Sequence, residues 1–333
     1  MLEVKSPWKN NTINTVETQN ESQIEKILVV ASKVAAKKGL DFAPKSRINI
    51  LKKFCEKIKN NINDLATLAC TEGGKPIADS IIEIERGAEG VESCIEILKS
   101  ECGNVIPMNI NEASTNRIAF TQKEPIGLVL AISAFNHPFN LIIHQIIPAI
   151  AVGCSVIVKP AEDTPLSCKR IVEMLYECGL PEERCHFVLP ENLDLATKLV
   201  SDQRIDFFSF IGSSKIGWFL RSKLAPGARC SLEHGGMAPT FITENCSDLE
   251  MCAESITRGG FYHAGQVCVS VQRVYINKKI RDKFLEKLIN CVKKIKVGDP
   301  MKKNVVVGPL IRPTEVDRVE EWVNESINNG SNV

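Results

Sequence analysis

The regular alternation of apolar and amphipathic runs between Gly127 and Leu224 constrains the fold more than any other feature of this sequence. Short, continuous apolar runs are typical of strands buried on both faces, and the longer runs between them have helical spacing. Such alternation predicts an α/β fold, a doubly wound parallel sheet with right-handed crossovers and helices on both faces. The predicted strands are Gly127–Ile132, Ser155–Val158, Cys185–Leu189 and Ile205–Phe210, and the predicted helices are Phe139–Val152, Pro165–Cys178, Leu193–Val200 and Ser214–Leu224.

The segments on either side of this region have a different pattern. Residues 1–20 are polar and predict a lead-in along the surface, and apolar residues then recur at helical spacing through most of residues 22–98. Residues 115–123 alternate as an exposed strand does, so they predict one arm of a hairpin. After residue 235 the sequence predicts a helix over 251–258 that Gly259 and Gly260 stop, a strand over 271–276 and a helix over 280–292.

Composition narrows the class of protein. With 44% hydrophobic residues, 24% charged residues and a net charge of +1, the chain is typical of soluble globular proteins and gives no electrostatic reason to expect nucleic acid or acidic membranes. The 13 cysteines include no C-x-x-C pair and the histidines no H-E-x-x-H, so no metal site is expected and a reduced, cytoplasmic setting is favoured. Polar residues and prolines interrupt the apolar segment 126–158, which predicts a buried core and no membrane span.

Cys268 is the first candidate for chemistry. It lies in the segment Phe261–Ser270, between the predicted helix and strand of the C-terminal part. Junctions of this kind often direct side chains towards ligands, and a cysteine thiolate is a strong nucleophile. A free cysteine is more often a small buried hydrophobe, so the position of Cys268 alone leaves both interpretations open.

A possible phosphate site follows the strand that ends at Phe210. Gly212 and Gly217 bound the segment G-S-S-K-I-G, which opens a helix. The free N–H groups of a helix start suit a phosphate group, and glycine permits a close approach. The spacing resembles half of a Walker A loop, but Trp218 replaces its lysine, which disfavours a nucleoside triphosphate. A plain strand-to-helix turn is the alternative.

Polar residues also follow other predicted strands, at the edge where such sheets bind ligands. Lys159 and Glu162 suit ribose hydroxyls, because the amine donates and the carboxylate accepts hydrogen bonds. Glu233 suits a general base, and the amide of Asn136 suits an oxyanion. The alternatives are a solvated Lys–Glu pair, a surface charge at Glu233 and a turn shaped by Asn136.

Taken together, these motifs show that the chain resembles the aldehyde dehydrogenase superfamily. The resemblance extends from about residue 6 to the end of the chain. The chain also resembles a branch of uncharacterised members near the lactaldehyde and phosphonoacetaldehyde dehydrogenases. The matching motifs are Asn136 in A-F-N-H-P-F-N, Lys159 and Glu162 in K-P-x-E, Gly212 and Ser213 in F-I-G-S, Glu233 in L-E-x-G-G, and Cys268 in G-Q-x-C.

The resemblance implies an enzyme that oxidises a small-molecule aldehyde to a carboxylic acid. In that family the thiolate matching Cys268 forms a thiohemiacetal and then a thioester, the amide matching Asn136 stabilises the oxyanion, and the carboxylate matching Glu233 activates the hydrolytic water. Glu233 disfavours the coenzyme A-acylating branch, and Glu162 favours NAD over NADP. The residues expected to bind the cofactor in a Rossmann-type domain are Ile132, Ser133, Lys159, Glu162, Gly212, Ser213 and Gly217.

The resemblance also implies two domains, a dinucleotide-binding domain over 1–235 and a catalytic domain over 236–333. The hairpin near 105–125 resembles the family's oligomerisation hairpin, and a complete chain would form a family-like homo-oligomer. The family continues beyond the position of Val333 with an E-x-F-G-P segment that this sequence lacks. The expectation is therefore an incomplete catalytic domain, and the alternative function is a truncated, non-catalytic remnant that binds dinucleotide or a partner.

Overall fold

The computed structural model describes residues 1–333, and the N-terminal part is a hairpin followed by four helices. Residues 1–20 differ from the prediction of a simple lead-in, because Val4 and Val16 are buried against Leu166 and Leu189 and anchor two short strands. These elements are β1 (Leu2–Lys5), β2 (Thr12–Val16), α1 (Glu21–Ala35), α2 (Pro44–Asn60), α3 (Ile62–Gly73) and α4 (Ile77–Ser100).

The predicted hairpin after α4 is present but has very short arms. The strands β3 (Val105–Ile106) and β4 (Ala119–Phe120) pair in antiparallel fashion. The strand predicted over 115–123 is reduced to β4 because the chain turns sharply before it. Asn116 has a φ of 58°, and its N–H donates to Asn109 Oδ1 at 2.8 Å. The oligomerisation role of the hairpin stays a prediction.

The doubly wound sheet is confirmed. It has five strands, all parallel, in the order β7-β6-β5-β8-β9. Sequential strands β5 and β6 are neighbours, and the order reverses at β5, where a cleft for ligands is expected beyond the carboxyl ends. Its elements are β5 (Leu128–Ile132), α5 (Asn140–Val152), β6 (Ser155–Lys159), α6 (Pro165–Glu177), β7 (Cys185–Phe187), α7 (Leu193–Val200), β8 (Phe207–Gly212), α8 (Ser214–Arg221) and β9 (Arg229–His234).

The central strand β5 explains the apolar run that identified the sheet. Its successive side chains point to opposite faces. Val129 and Ala131 contact a core of 35 buried residues beneath α2 to α6. Leu128 and Leu130 contact a second core of 16 buried residues beneath α1, α7 and α8. Because both faces are covered, every position of the strand is apolar.

The C-terminal part is built on two further strands. They pair in parallel, and helices α9 and α10 pack against them over a small core that includes Ile242 and Phe284. Gly259 and Gly260 do not stop α9, contrary to the prediction. Both glycines lie against Val271, where a Cβ would meet side-chain or backbone atoms at 3.0 and 3.3 Å, so they permit close packing on the strand. The elements are β10 (Ala238–Ile242), α9 (Leu249–Phe261), β11 (Val271–Ile276), α10 (Arg281–Lys293) and α11 (Pro313–Asn328).

Membrane-spanning helices are not found, since no helix combines the length and the apolar character that crossing a bilayer requires.

Candidate active site

Cys268 follows a left-handed turn at the end of α9. His263, Ala264 and Gly265 have φ values of 49°, 55° and 73°. The left-handed conformation costs about 1–2 kcal/mol for each residue with a Cβ, so the surroundings must stabilise this turn. The Cys268 side chain is exposed. The thiol is therefore accessible to solvent and to a dissolved substrate.

Gln266 stabilises this turn through both its backbone and its side chain. Its backbone N–H and its side-chain Nε2 both donate to the carbonyl oxygen of His263, at 3.1 and 3.2 Å. Its Oε1 accepts from the N–H of Ile311 at 3.0 Å. The side chain thus connects the turn before Cys268 to the segment that contains Ile311. Sequence analysis had identified Gln266 only as part of the G-Q-x-C motif.

Asn136 lies directly beside this turn. Its Nδ2 donates to the carbonyl oxygen of Gln266 at 2.8 Å. An amide nitrogen carries two hydrogens, and this is its only hydrogen bond in the structure, so the second hydrogen is available to a ligand. The loop after β5 is thereby joined to the segment that carries Cys268.

Glu233 reaches the same region from the sheet. It lies on β9, opposite Ile211 of β8, and its side chain is exposed and makes no hydrogen bond or ion pair. Just beyond it, the N–H of Gly236 donates to the carbonyl oxygen of Cys268 at 3.2 Å, and Gln272 Nε2 donates to the carbonyl oxygen of Gly236 at 3.0 Å. The three predicted catalytic residues therefore belong to three segments that converge.

A buried ion pair supports the loop of Asn136. Lys75 and Glu83 are 0% and 1% exposed and form a direct salt bridge. Glu83 Oε1 accepts from the N–H groups of Phe139 and Asn140, both at 2.9 Å, at the start of α5. Lys75 Nζ lies 3.1 Å from Nδ1 of His137. Sequence analysis did not predict this pair, because charged side chains normally face water.

His137 is uncharged in this environment. Two effects lower the pKa of His137 to about 4. Burial is the larger effect, and the positive charge of Lys75 is the second. Its ring stacks on Tyr262 at 6.1 Å between centroids and faces His263 at 6.5 Å. His263 is completely buried, and burial lowers its pKa well below the usual value. These neutral rings join the Asn136 loop to the turn before Cys268.

Lys159 and Ser133 lie at the carboxyl edge of the sheet. Lys159 ends β6 and is 8% exposed, and its Nζ lies 3.5 Å from Glu162 Oε1. Ile132 is its partner on β5. The N–H of Ser133 donates to the carbonyl oxygen of Lys159 at 3.0 Å, and the buried Ser133 Oγ has no partner. A polar ligand at this edge would satisfy that hydroxyl.

Gly212 and Ser213 complete the edge at the end of β8. Ser213 caps α8, because its Oγ accepts from the N–H of Ile216 at 3.4 Å. Gly217 has a clear packing role. A Cβ at this position would lie 2.1 Å from Nε2 of His234, so the missing side chain lets the His234 ring pack against α8. The edge as a whole fits a dinucleotide: it offers an amine, free hydroxyls and a helix start.

Comparison with known proteins identifies relatives of this chain. A model described as the aldehyde dehydrogenase family matches residues 1–333. The chain is 36% identical to a 3-sulfolactaldehyde dehydrogenase of Priestia aryabhattai over 332 residues, which is 100% of this chain and 69% of the relative. It is 31% identical to a lactaldehyde dehydrogenase of Methanocaldococcus jannaschii over 342 residues, covering 98% of this chain and 72% of the relative.

Solved structures of similar proteins have the same fold. A glyceraldehyde-3-phosphate dehydrogenase from Methanocaldococcus jannaschii, complexed with NADP, superimposes with a TM-score of 0.93 and 29% identity, covering 99% of this chain and 71% of that one. A betaine aldehyde dehydrogenase from Staphylococcus aureus, in complex with NAD+, superimposes with a TM-score of 0.94 and 26% identity, covering 99% of this chain and 65% of that one.

Proposed function

This chain belongs to the aldehyde dehydrogenase family, whose members oxidise aldehydes with NAD(P)+, and we propose that it does so through a covalent thioester on Cys268. The observation that carries the proposal is the 2.8 Å hydrogen bond from Asn136 to the backbone of Gln266. It fixes an amide donor against the turn that leads to the exposed Cys268, and acyl transfer uses a nucleophile together with a donor of this kind.

The first step is addition to the aldehyde. The thiolate sulfur of Cys268 forms a bond to the carbonyl carbon, and the π electrons of the C=O bond move to oxygen. The second amide hydrogen of Asn136 and the backbone N–H of Cys268 donate to this oxyanion. Because Asn136 is already fixed by Gln266, its donor needs little reorganisation as the charge develops.

The second stage releases the acid. NAD(P)+, when bound, supplies the acceptor for the hydride of the thiohemiacetal. The oxyanion then re-forms a carbonyl group, which leaves a thioester on Cys268. Glu233 removes a proton from water, the water oxygen attacks the thioester carbon, and the Cys268 thiolate leaves. Glu233 suits this role because its carboxylate is exposed and engaged by no other residue.

We expect the cofactor to bind at the carboxyl edge of the sheet. Lys159, Glu162 and Ser133 would contact the ribose and its neighbouring groups, and Gly212 and Ser213 the phosphates. The carboxylate of Glu162 is half-exposed beside Lys159, so it is free to accept from a ribose hydroxyl. A 2′-phosphate would face this negative charge, which favours NAD over NADP.

The test is NADH formation by the 333-residue chain with small aldehydes, beginning with lactaldehyde because one similar protein is named for it. Cys268→Ala should abolish turnover. Cys102→Ala is the matched control, because Cys102 is also exposed and lies outside the site. Turnover that survives in Cys268→Ala, or a folded chain that binds NAD without turnover, would overturn the proposed mechanism.

A further inference from the structure

Cys246 and Cys252 are the only two cysteines whose thiols contact each other. Their Sγ atoms lie 3.3 Å apart. A disulfide bond is about 2.05 Å long, so the sulfur atoms need to approach by only about 1.3 Å to form one. All 13 cysteines are free in the structure, and no other pair is within hydrogen-bonding distance. The pair lies outside the site described above, and nothing in the proposed mechanism uses it.

Local backbone structure holds the two thiols together. The N–H of Cys246 donates to the carbonyl oxygen of Thr243 at 3.1 Å in the turn after β10. Asp248 caps α9, because its Oδ1 accepts from the N–H of Met251 at 2.9 Å. Cys252 lies in the first turn of α9, where a side chain leans towards the helix N-terminus. The Cys252 thiol is thereby directed at Cys246.

The pair is partly exposed, and its reactivity should depend on pH. Both side chains are half-buried at the margin of the C-terminal core, whereas Cys168 and Cys185 are completely buried and have no sulfur partner. The hydrogen bond with Cys246, and to a lesser degree burial, raise the pKa of the Cys252 thiol. Since the thiolate is the reacting form, exchange at this pair should accelerate as the pH rises.

The geometry points to a reversible dithiol–disulfide site at Cys246 and Cys252, oxidised by small disulfides of the glutathione type. One cysteine thiolate attacks a sulfur of the oxidised glutathione and displaces a glutathione thiolate. The second cysteine thiolate then attacks the protein sulfur of the mixed disulfide and displaces the other glutathione. Two protein thiols lose two electrons and two protons, and one glutathione disulfide becomes two glutathione thiols.

A disulfide at this pair would constrain the helix that precedes Cys268. Helix α9 begins beside the pair, at Leu249, and ends at Phe261, directly before the turn that leads to Cys268. A disulfide would fix the first turn of α9 to the turn after β10. The proposal does not depend on Cys268 being the nucleophile, so its test is independent of the dehydrogenase mechanism.

The test is peptide mapping of the full chain after incubation in oxidised and reduced glutathione mixtures. Free thiols are then alkylated in acid-quenched protein, and a protease that cuts after glutamate cleaves at Glu244, Glu250 and Glu254. This digestion separates Cys246 on peptide 245–250 from Cys252 on peptide 251–254. The expected result is a linked pair of these peptides, which dithiothreitol releases. Cys102→Ser should keep the link, and Cys252→Ser should lose it.

Two results would overturn the proposal. In one, oxidised folded protein yields both peptides only as alkylated thiols or glutathione adducts. In the other, the link forms no faster in the folded chain than in the same chain unfolded in urea, because nearness in sequence would then account for it. Circular dichroism of each sample establishes which chains are folded.

Discussion

The side-chain amide of Asn136 donates a 2.8 Å hydrogen bond to the backbone carbonyl oxygen of Gln266, a residue 130 positions further along the chain. This contact joins the loop that follows the central strand β5 to the turn that carries Cys268. It fixes an amide donor against that turn before any substrate arrives.

Asn136→Ala should lower kcat by about 10²–10³-fold, the usual effect of removing one oxyanion donor. The aldehyde KM should change little, because the lost interaction is made in the transition state. Steady-state NADH formation measures both constants. Asn104→Ala is the control, since Asn104 is exposed on the distant hairpin. A variant whose kcat stays near that of the control would show that Asn136 does not stabilise the oxyanion.

Lys75→Met should lower the free energy of unfolding by about 3–5 kcal/mol, because it leaves the Glu83 carboxylate buried without its cation. Lys99→Met is the matched control. It breaks the exposed pair with Glu96, and exposed pairs contribute about 0–1 kcal/mol. Urea unfolding followed by circular dichroism measures both. Equal losses in the two variants would contradict the importance of the buried pair for the Asn136 loop.

His137→Gln should change how stability depends on pH. The pKa of His137 is about 4 in the folded chain and about 6.5 in the unfolded chain, so the unfolded chain binds more protons between these values. Stability from this group is therefore present above pH 6.5 and is lost as the pH falls towards 4, by no more than about 3 kcal/mol. Relative to wild type, His137→Gln should become more stable as the pH falls through this window.

The comparison must be made as a difference between the two proteins. Burial raises the pKa of Glu72 to about 7, which gives the opposite slope over an overlapping window in both chains. Subtracting the wild-type curve removes that contribution. A difference that stays constant from pH 4 to 6.5 would mean that His137 titrates normally in the folded chain.

Glu162→Gln should raise kcat/KM for NADP relative to NAD by about tenfold, which corresponds to about 1.4 kcal/mol. The reason is that the variant removes the negative charge that a 2′-phosphate would face. Glu191→Gln is the control, because Glu191 is exposed on a loop and forms no ion pair. The ratio of the two cofactor constants is the measurement. An unchanged ratio would place the determinant of cofactor choice elsewhere.

The sheet could be predicted from sequence because burial on both faces constrains consecutive residues of each strand. Burial of Leu128–Ile132 on both faces requires an apolar residue at each position, and the resulting run is visible in one dimension. Polar residues that follow such strands, among them Lys159 and Asn136, could then be assigned to the ligand edge from chain position alone.

Other features depend on contacts between distant segments, and local sequence argues against them. His263 and Ala264 adopt a left-handed turn that their side chains disfavour, because buried neighbours and Gln266 hold it. Lys75, in the loop before α4, and Glu83, on α4, resemble ordinary surface charges and are instead buried together. Gly259 resembles a helix stop and is instead a point of close packing on β11.

The most direct test of the account is the mass of Cys268 during turnover of the Glu233→Gln variant. Aldehyde and NAD are mixed with the variant, and the reaction is quenched in acid. The mass of the proteolytic peptide that contains Cys268 is then measured by mass spectrometry. The proposed mechanism predicts a single burst of about one NADH per chain and a Cys268 peptide heavier by the aldehyde less two hydrogens, since the thioester forms but is not hydrolysed. An unmodified Cys268 in a variant that keeps producing NADH would contradict it.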